Sequence, residues 1–575
     1  MMTESRSQPA KPANKPPPGH PGLNLSRPIA YALLGIAAVF YALHFLHLAA
    51  DFPNHSPWSD WSKYTDEGWY GDAAIRHYFT GHWYWQGDFN PAVALPMLPL
   101  LELLWFKFTG VSAPSARALT LCLFGLTLIA FYILIQRHTR PRTTYSSVPL
   151  AAPLTIFLLC LSPYLYVFER MAIIEPLLIC LTALALLTAS HLHPLHVRST
   201  FKAFTTHSAS ARHLSFNFLK AILPALALGL LLPAMILAKT TAVAIFPAVG
   251  YMIWARAGYR IRRAIRLTAI PAVMTAAIWL GYFVLFVRPR YLADYQYLFS
   301  ANAYTGIELD PLATVVLNTL SDGLWMGKIL FPSVFIVLSL ALFWRPRLFS
   351  NPVVPALLLW IAGYFAFLLY HNNLQPRYYL VVAVPITALV ALGIDTFRQS
   401  RTRGGTLIAS SLAAAVVLAI ALPDALMQIG FITHPTYDFE AAARSIAQLV
   451  RSDQTHPNLI LSISGSDLTL MTGLPSIDDD FGTDDLDVRV KKYRPGWYVA
   501  WNDVEDDKAD AITPLYTMNR VAAYPAMDDP DRNLLIVYRL DPKEPTTPVH
   551  RQRPHTPRPL ITKHGQQPSV PQLQH

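Results

Sequence analysis

Long apolar runs dominate the chain. They begin near Ile29, Ala116, Leu150, Ala172, Leu219, Thr240, Leu267, Asp322, Pro352, Tyr378 and Thr406. A helix needs about 20 mostly apolar residues to cross a bilayer, so the pattern predicts a polytopic α-helical membrane protein with about eleven spans. A shorter run, 92–108, is broken by Pro96 and Pro99 and carries Glu102 and Lys107. By itself it fits either a span or a helix lying in the interface. The loop around it, 51–114, is dense in Trp and Tyr, which favour the membrane–water interface. Interfacial helices are therefore expected in this first loop.

After Pro423 the pattern changes. Residues 441–450 keep a helical period, while 459–463, 497–501 and 533–538 are β-branched and aromatic and read as strands. The expected organisation is a disordered tail over 1–28, a membrane unit over 29–423, a small α/β domain over 424–541, and a Pro-, Gln- and His-rich disordered tail over 542–575.

Composition agrees. Of 575 residues, 53% are hydrophobic and 14% charged, against about 25% charged in soluble proteins. The net charge of +10 matters through its placement. Lys and Arg favour the cytoplasmic side. With the N-terminus inside and 92–108 interfacial, every basic cluster falls on the cytoplasmic side. These are Arg137/Arg140/Arg142, Arg198/Lys202/Arg212, Arg256–Arg266, Arg345/Arg347 and Arg398/Arg401/Arg403. The acidic stretch 51–88 then falls outside. A spanning 92–108 would reverse every later loop, so an odd number of spans is expected, with the C-terminal domain outside. Cys122, Cys160 and Cys180 lie in apolar runs and read as buried hydrophobes. No P-loop, dinucleotide fingerprint or G-x-S-x-G is present, and no nucleic-acid partner is expected.

Candidate chemistry gathers at the outer helix ends. The first loop holds Asp60, Asp66, Glu67, Asp72 and Asp88. Asp66 and Glu67 supply a candidate general base for an acceptor hydroxyl; a solvated acidic loop is the plainer alternative. Glu175 sits inside an apolar helix, where a carboxylate needs a cavity and a partner. Arg170 precedes it. Lys239 and Arg377 mark two more outer ends, as interfacial anchors or as phosphate contacts. Tyr378 and Tyr379 beside Arg377 can hydrogen-bond a donor or anchor the helix. His55, His77 and His82 follow no zinc spacing, although a divalent ion on Asp66 or Glu67 stays open. The runs Asp478–Asp480 and Asp484–Asp487 read as solvated acid rather than a calcium loop.

The order Asp66-Glu67-x-x-Tyr70, FKFTGVSAPSARALT, R-x-x-x-x-E-P (Arg170, Glu175, Pro176), Lys239 and the Arg377–Pro385 segment resembles the membrane glycosyltransferases of the GT-C fold. It is similar to the branch holding protein O-mannosyltransferases and the lipid A aminoarabinose transferase. The likeness covers 30–423 and, more loosely, the C-terminal domain. It implies transfer of a hexosyl or pentosyl group from a polyprenyl phosphate to an acceptor hydroxyl of a lipid, glycan or protein outside the membrane. By the same resemblance, Asp66 is the catalytic carboxylate with Glu67 beside it, and Arg170, Glu175 and Tyr70 line the cavity. Lys239, Arg377 and Tyr378 then contact the donor phosphate. The chain carries Glu175 where relatives often have Asp, and it lacks the β-trefoil of eukaryotic protein mannosyltransferases. A bacterial inner membrane is the implied setting. The rival reading is a transporter or flippase of lipid-linked sugars, which usually shows internal repeats; none is visible here.

Overall fold

The computed structural model describes residues 26–543, apart from 54–57, 140–148, 194–209, 301–310, 371–374, 399–402 and 530–531. Most of both tails lies outside the described residues, as do His55, Arg140, Arg142, Arg198, Lys202 and Arg401. The helices, in chain order, are α1 (Ser26–Leu43), α2 (Asp66–Thr80), α3 (Met97–Thr109), α4 (Ala113–Thr139), α5 (Ala151–Leu161), α6 (Pro163–Phe168) and α7 (Ile174–Ser190). There follow α8 (Ser210–Ala238), α9 (Phe246–Arg256), α10 (Ile261–Tyr282), α11 (Leu292–Ser300), α12 (Leu312–Asp322), α13 (Leu330–Trp344), α14 (Val353–Tyr370), α15 (Leu380–Arg398) and α16 (Arg403–Thr433). The C-terminal domain holds α17 (Asp438–Ser452), α18 (Gly465–Thr472), α19 (Leu486–Tyr493) and α20 (Asp506–Ile512).

Each of the eleven apolar runs is helical. Among the described residues, five helices are long and apolar enough to cross a membrane, and four shorter apolar helices and one bent pair join them. The run expected from Asp322 is the bent pair. It turns by 110° between Leu312–Met326 and Leu330–Trp344, at Gly327, whose φ of 136° excludes most side chains. Pro163 likewise divides the run from Leu150 into α5 and α6.

The helices sort into layers. α5, α7 and α15 are buried nearly throughout. α1, α10 and α16 turn most of their surface outward, with Leu230 of α8, Leu285 after α10 and Leu412 of α16 among many exposed apolar side chains. An apolar exterior of this extent fits lipid rather than water, and the chain is an integral membrane protein. Cys160 and Cys180 are buried, but Cys122 is exposed on the outward face of α4, a small departure from the sequence reading. α3 has only 13 residues and exposes Leu100, Leu104 and Phe108 along one side; it is too short to span.

The C-terminal domain is a sheet of order β2-β1-β3-β5-β4, built from Ile460–Leu461 (β1), Ser476–Ile477 (β2), Trp497–Trp501 (β3), Tyr516–Asp529 (β4) and Arg532–Pro542 (β5). β1 is parallel to β2 and β3, and β5 is antiparallel to β3 and β4. Alternate residues of β3 face opposite ways. Trp497 and Val499 pack with Ile446 and Val450 of α17, while Tyr498 and Ala500 pack with Val490 and Ile512 of α19 and α20.

This domain rests on the first loop. Gly68 of α2 donates its N–H to Asp467 Oδ1 at 2.8 Å, and a Cβ there would lie 2.2 Å from the Asp467 nitrogen. Gly68→Val is therefore expected to force the domain off α2, because overpacking of even a methylene or two costs about 1–3 kcal/mol. Limited proteolysis reads this as faster cleavage between the membrane unit and residue 438. An unchanged digestion pattern would count against the contact.

Candidate active site

Four helix starts converge at the end of the bundle that carries the C-terminal domain. Asp66 and Glu67 open α2, Glu175 opens α7, Lys239 precedes the turn into α9, and Arg377 lies in the 3-10 turn Pro376–Tyr379 that leads into α15. The opposite ends of α4, α9 and α15 carry Arg137, Arg256 and Arg398. The acidic site and these three arginines thus lie at opposite ends of the bundle.

Asp60, Asp66, Glu67, Asp72 and Asp88 of the first loop are all buried. The solvated alternative fails for them, because each has a partner. Arg377 joins two of them: its Nη1 lies 2.6 Å from Asp60 Oδ1 and its Nη2 lies 3.2 Å from Asp66 Oδ2. Asp60 Oδ2 also accepts the Arg377 backbone N–H at 3.1 Å. Thr65 Oγ1 donates to Asp66 Oδ1 at 3.0 Å. Burial raises the Asp66 carboxyl to about 6, opposed by Arg377 and assisted by Asp60 and Glu175.

A cavity of about 150 Å³ opens beside Asp66. Tyr70, one helical turn on, shares its wall with Trp69, Arg377 and Tyr378, and the C-terminal domain contributes Asp480 and Phe481. Lys239 and Glu175 form a buried ion pair. They join the site through Tyr378, whose ring has Lys239 Nζ at 4.7 Å and the Arg377 guanidinium at 4.6 Å. Several atoms here are buried without a hydrogen-bond partner: Asp66 Oδ2, Glu175 Oε2, Arg377 Nε and Trp69 Nε1. Buried polar atoms are nearly always satisfied, so a cluster of open ones marks where a polar ligand fits.

Two sequence candidates face elsewhere. Glu67 is turned about 100° around α2 from Asp66. It accepts Arg117 Nε at 2.9 Å, Arg117 Nη2 at 2.5 Å and the Ala172 backbone N–H at 2.9 Å. Arg170 donates to the carbonyls of Leu46 and His47 at 2.9 and 2.7 Å and lies over Tyr166. It lines another cavity with Lys63, Asp51 and Asp528. The sequence named Asp60 only among the acids of the loop and did not single out Arg117, since nothing local ties them to Arg377 or Glu67. Among the described residues, no three His, Cys, Asp or Glu side chains converge to hold a metal ion.

The Asp478–Asp480 run departs from its reading as a solvated loop. Asp478 and Asp479 are buried. Asp478 Oδ1 accepts the N–H groups of Asp480 and Phe481 at 2.8 and 2.6 Å. Asp479 lies 3.7 Å from Lys508. Only Asp480 reaches the cavity wall. Behind it, Asp88 receives Arg76 at 2.5 Å and Arg489 at 3.2 Å, tying loop to domain.

The fold these elements make is a known one. ArnT from Cupriavidus metallidurans, solved bound to undecaprenyl phosphate, aligns at 15% identity and a TM-score of 0.52, over 89% of this chain and 98% of that one. Its apo structure aligns at 14% identity and a TM-score of 0.54, with the same coverage. The archaeal oligosaccharyltransferase AglB from Archaeoglobus fulgidus, in complex with an inhibitory peptide and a dolichol-phosphate, aligns at 13% identity and a TM-score of 0.48, over 89% of this chain and 74% of that one. The chain therefore has the GT-C fold shared with ArnT. Its sequence matches no protein-family model and no curated protein.

Proposed function

We propose that the chain is a membrane glycosyltransferase. It moves a hexosyl or pentosyl group from a polyprenyl-phosphate donor to an acceptor hydroxyl of a lipid, glycan or protein. The observation that carries this reading is the open Asp66 carboxylate facing a cavity beside Arg377 and the Lys239–Tyr378 pair, in a chain with the fold of ArnT, which was solved with undecaprenyl phosphate.

Asp66 Oδ2 accepts the proton as the acceptor oxygen attacks the anomeric carbon from the face opposite the phosphate. The carbon–oxygen bond to phosphate breaks, and the configuration inverts. Arg377 and Lys239 stabilise the charge that gathers on the leaving phosphate, and Arg377 Nε is the open donor for it. Glu67 holds Arg117 and the Ala172 turn and so positions α2. The orientation follows the loop charges: N-terminus in the cytoplasm, C-terminal domain outside, in a bacterial inner membrane.

Two results are expected. A base raised to about 6 by burial makes kcat/KM rise with pH through that value and level off above it. An ordinary carboxylate would place the rise near about 4. The second concerns metal. The Arg377 guanidinium lies between Asp60 and Asp66, where a divalent ion would otherwise balance two acids, so a chelator is expected to leave turnover within about twofold. Complete loss in EDTA, restored by one added cation, would give Asp66 a metal partner instead.

The test of the function is release of polyprenyl phosphate from a panel of labelled donors in membranes. Sugar transfer to an acceptor supports the transferase. Movement of intact donor across the bilayer with no bond broken would replace it by a transporter.

A further inference from the structure

At the end of the bundle away from Asp66 lies a cavity of about 320 Å³. Arg137 and His138 from the last turn of α4, Arg256 from the last turn of α9 and Arg263 from the first turn of α10 line it, with Ser190 of α7. No carboxylate is among the lining side chains. The sequence explains why: it has no Asp or Glu between Glu102 and Glu169, and none between Glu175 and Asp294. Apart from Glu175 at the far end of α7, the helices that build the cavity, and the loops that follow them, have no acid to offer.

Arg137 and Arg256 contact imidazole rings and a backbone carbonyl instead. Arg137 Nη1 lies 2.7 Å from His191 Nε2. Arg256 Nε donates to the Leu192 carbonyl at 2.7 Å, and its Nη2 lies 3.2 Å from His193 Nε2. Arg137 and Arg263 both repel the charge on Arg256. The backbone keeps the cations together. Gly258 and Tyr259 both hold positive φ, 68° and 60°, in a tight reversal that returns α10 alongside α9. Tyr259 bears a strain that a glycine would not, and Gly258 forms part of the cavity wall.

We propose that this cavity binds a phosphate group, carried by the headgroup of an anionic membrane lipid. Three guanidiniums around one space suit a phosphate, whose unesterified oxygens each take charge-assisted hydrogen bonds from more than one planar fork. Depth points to a lipid source. Trp254 and Tyr259 are exposed and pack edge to face at 5.1 Å, with Tyr251 against Trp254 at 5.8 Å. Such aromatics mark the headgroup level of a bilayer, and Ile261 and Ile265 stand exposed on α10 next to them. The inference is independent of the transferase reading, since no residue of the Asp66 site takes part.

The test uses the full chain in nanodiscs of equal phosphatidylglycerol and phosphatidylcholine, with retained lipid counted by native mass spectrometry. The parent is expected to retain phosphatidylglycerol in preference. Arg137→Gln with Arg263→Gln is expected to retain roughly a hundredfold less, as each charged hydrogen bond lost weakens binding by about tenfold. Arg263→Gln alone sits at an exposed position and gives the same direction of change if the pair of substitutions does not fold. A second arm uses inorganic phosphate with the parent in phosphatidylcholine alone. A phosphate-dependent rise in melting temperature, absent from the variant and without selective phosphatidylglycerol retention, would keep the phosphate site and give it a soluble occupant. Equal phosphatidylglycerol retention by folded parent and variant, with no phosphate effect on either, overturns the proposal.

Discussion

Asp66→Asn is expected to lower turnover by about 10³-fold while the protein folds as before. A positioned general base contributes roughly 10²–10⁴-fold, and the amide keeps the shape of the carboxylate but cannot take the proton. Stability should hardly suffer. Asp66 Oδ2 makes an ion-pair contact to Arg377 Nη2 at 3.2 Å but no hydrogen bond, and without that contact Arg377 keeps its bonds to Asp60 through Nη1 and the backbone N–H. The measurement is single-turnover release of polyprenyl phosphate, with expression and melting temperature alongside. Turnover within threefold of the parent would remove Asp66 as the base.

The adjacent acid should behave in the opposite way. Glu67→Gln is expected to destabilise the fold by about 3–5 kcal/mol, because breaking a buried ion pair leaves one charge uncompensated. That is a large share of the roughly 5–15 kcal/mol that holds a domain folded. Arg117 would remain buried and charged, and the Ala172 N–H would lose the charge on its acceptor. A lower melting temperature and a poor yield are the expected readouts. Glu67→Gln combined with Arg117→Met should recover part of the stability, since an apolar replacement of both partners is often tolerated. A Glu67→Gln protein that melts like the parent yet does not turn over would give Glu67 a chemical role instead.

The contrast between these neighbours shows what the sequence could and could not disclose. The spans were legible because lipid and core both demand apolar residues, so every run became a helix. The gathering of Asp66, Glu175, Lys239 and Arg377 at one end of the bundle was legible from the placement of isolated charges. The division of labour between Asp66 and Glu67 was not. It depends on a rotation of about 100° per residue and on partners far off in sequence: Arg117 lies 50 residues from Glu67, and Arg377 lies 317 from Asp60. Burial of Asp478 and Asp479 was hidden for a related reason. An acidic run looks solvated until Lys508 and the backbone N–H groups of its own turn are folded around it. β4 was missed because its pattern is mostly exposed, as befits the edge of a sheet, and its pairing with β5 is broken by register shifts.

The seat of Asp467 against Gly68 joins residues 399 positions apart, and it imposes an order on biogenesis. The loop carrying Asp66 emerges from the ribosome early, and with it Asp60, Glu67, Asp72 and Asp88, all buried in the folded protein. Its last partners, Asp467 at Gly68 and Arg489 at Asp88, are translated after every membrane helix. The part of the cavity wall made by Asp480 and Phe481 is therefore supplied last, and a nascent chain released before them lacks it.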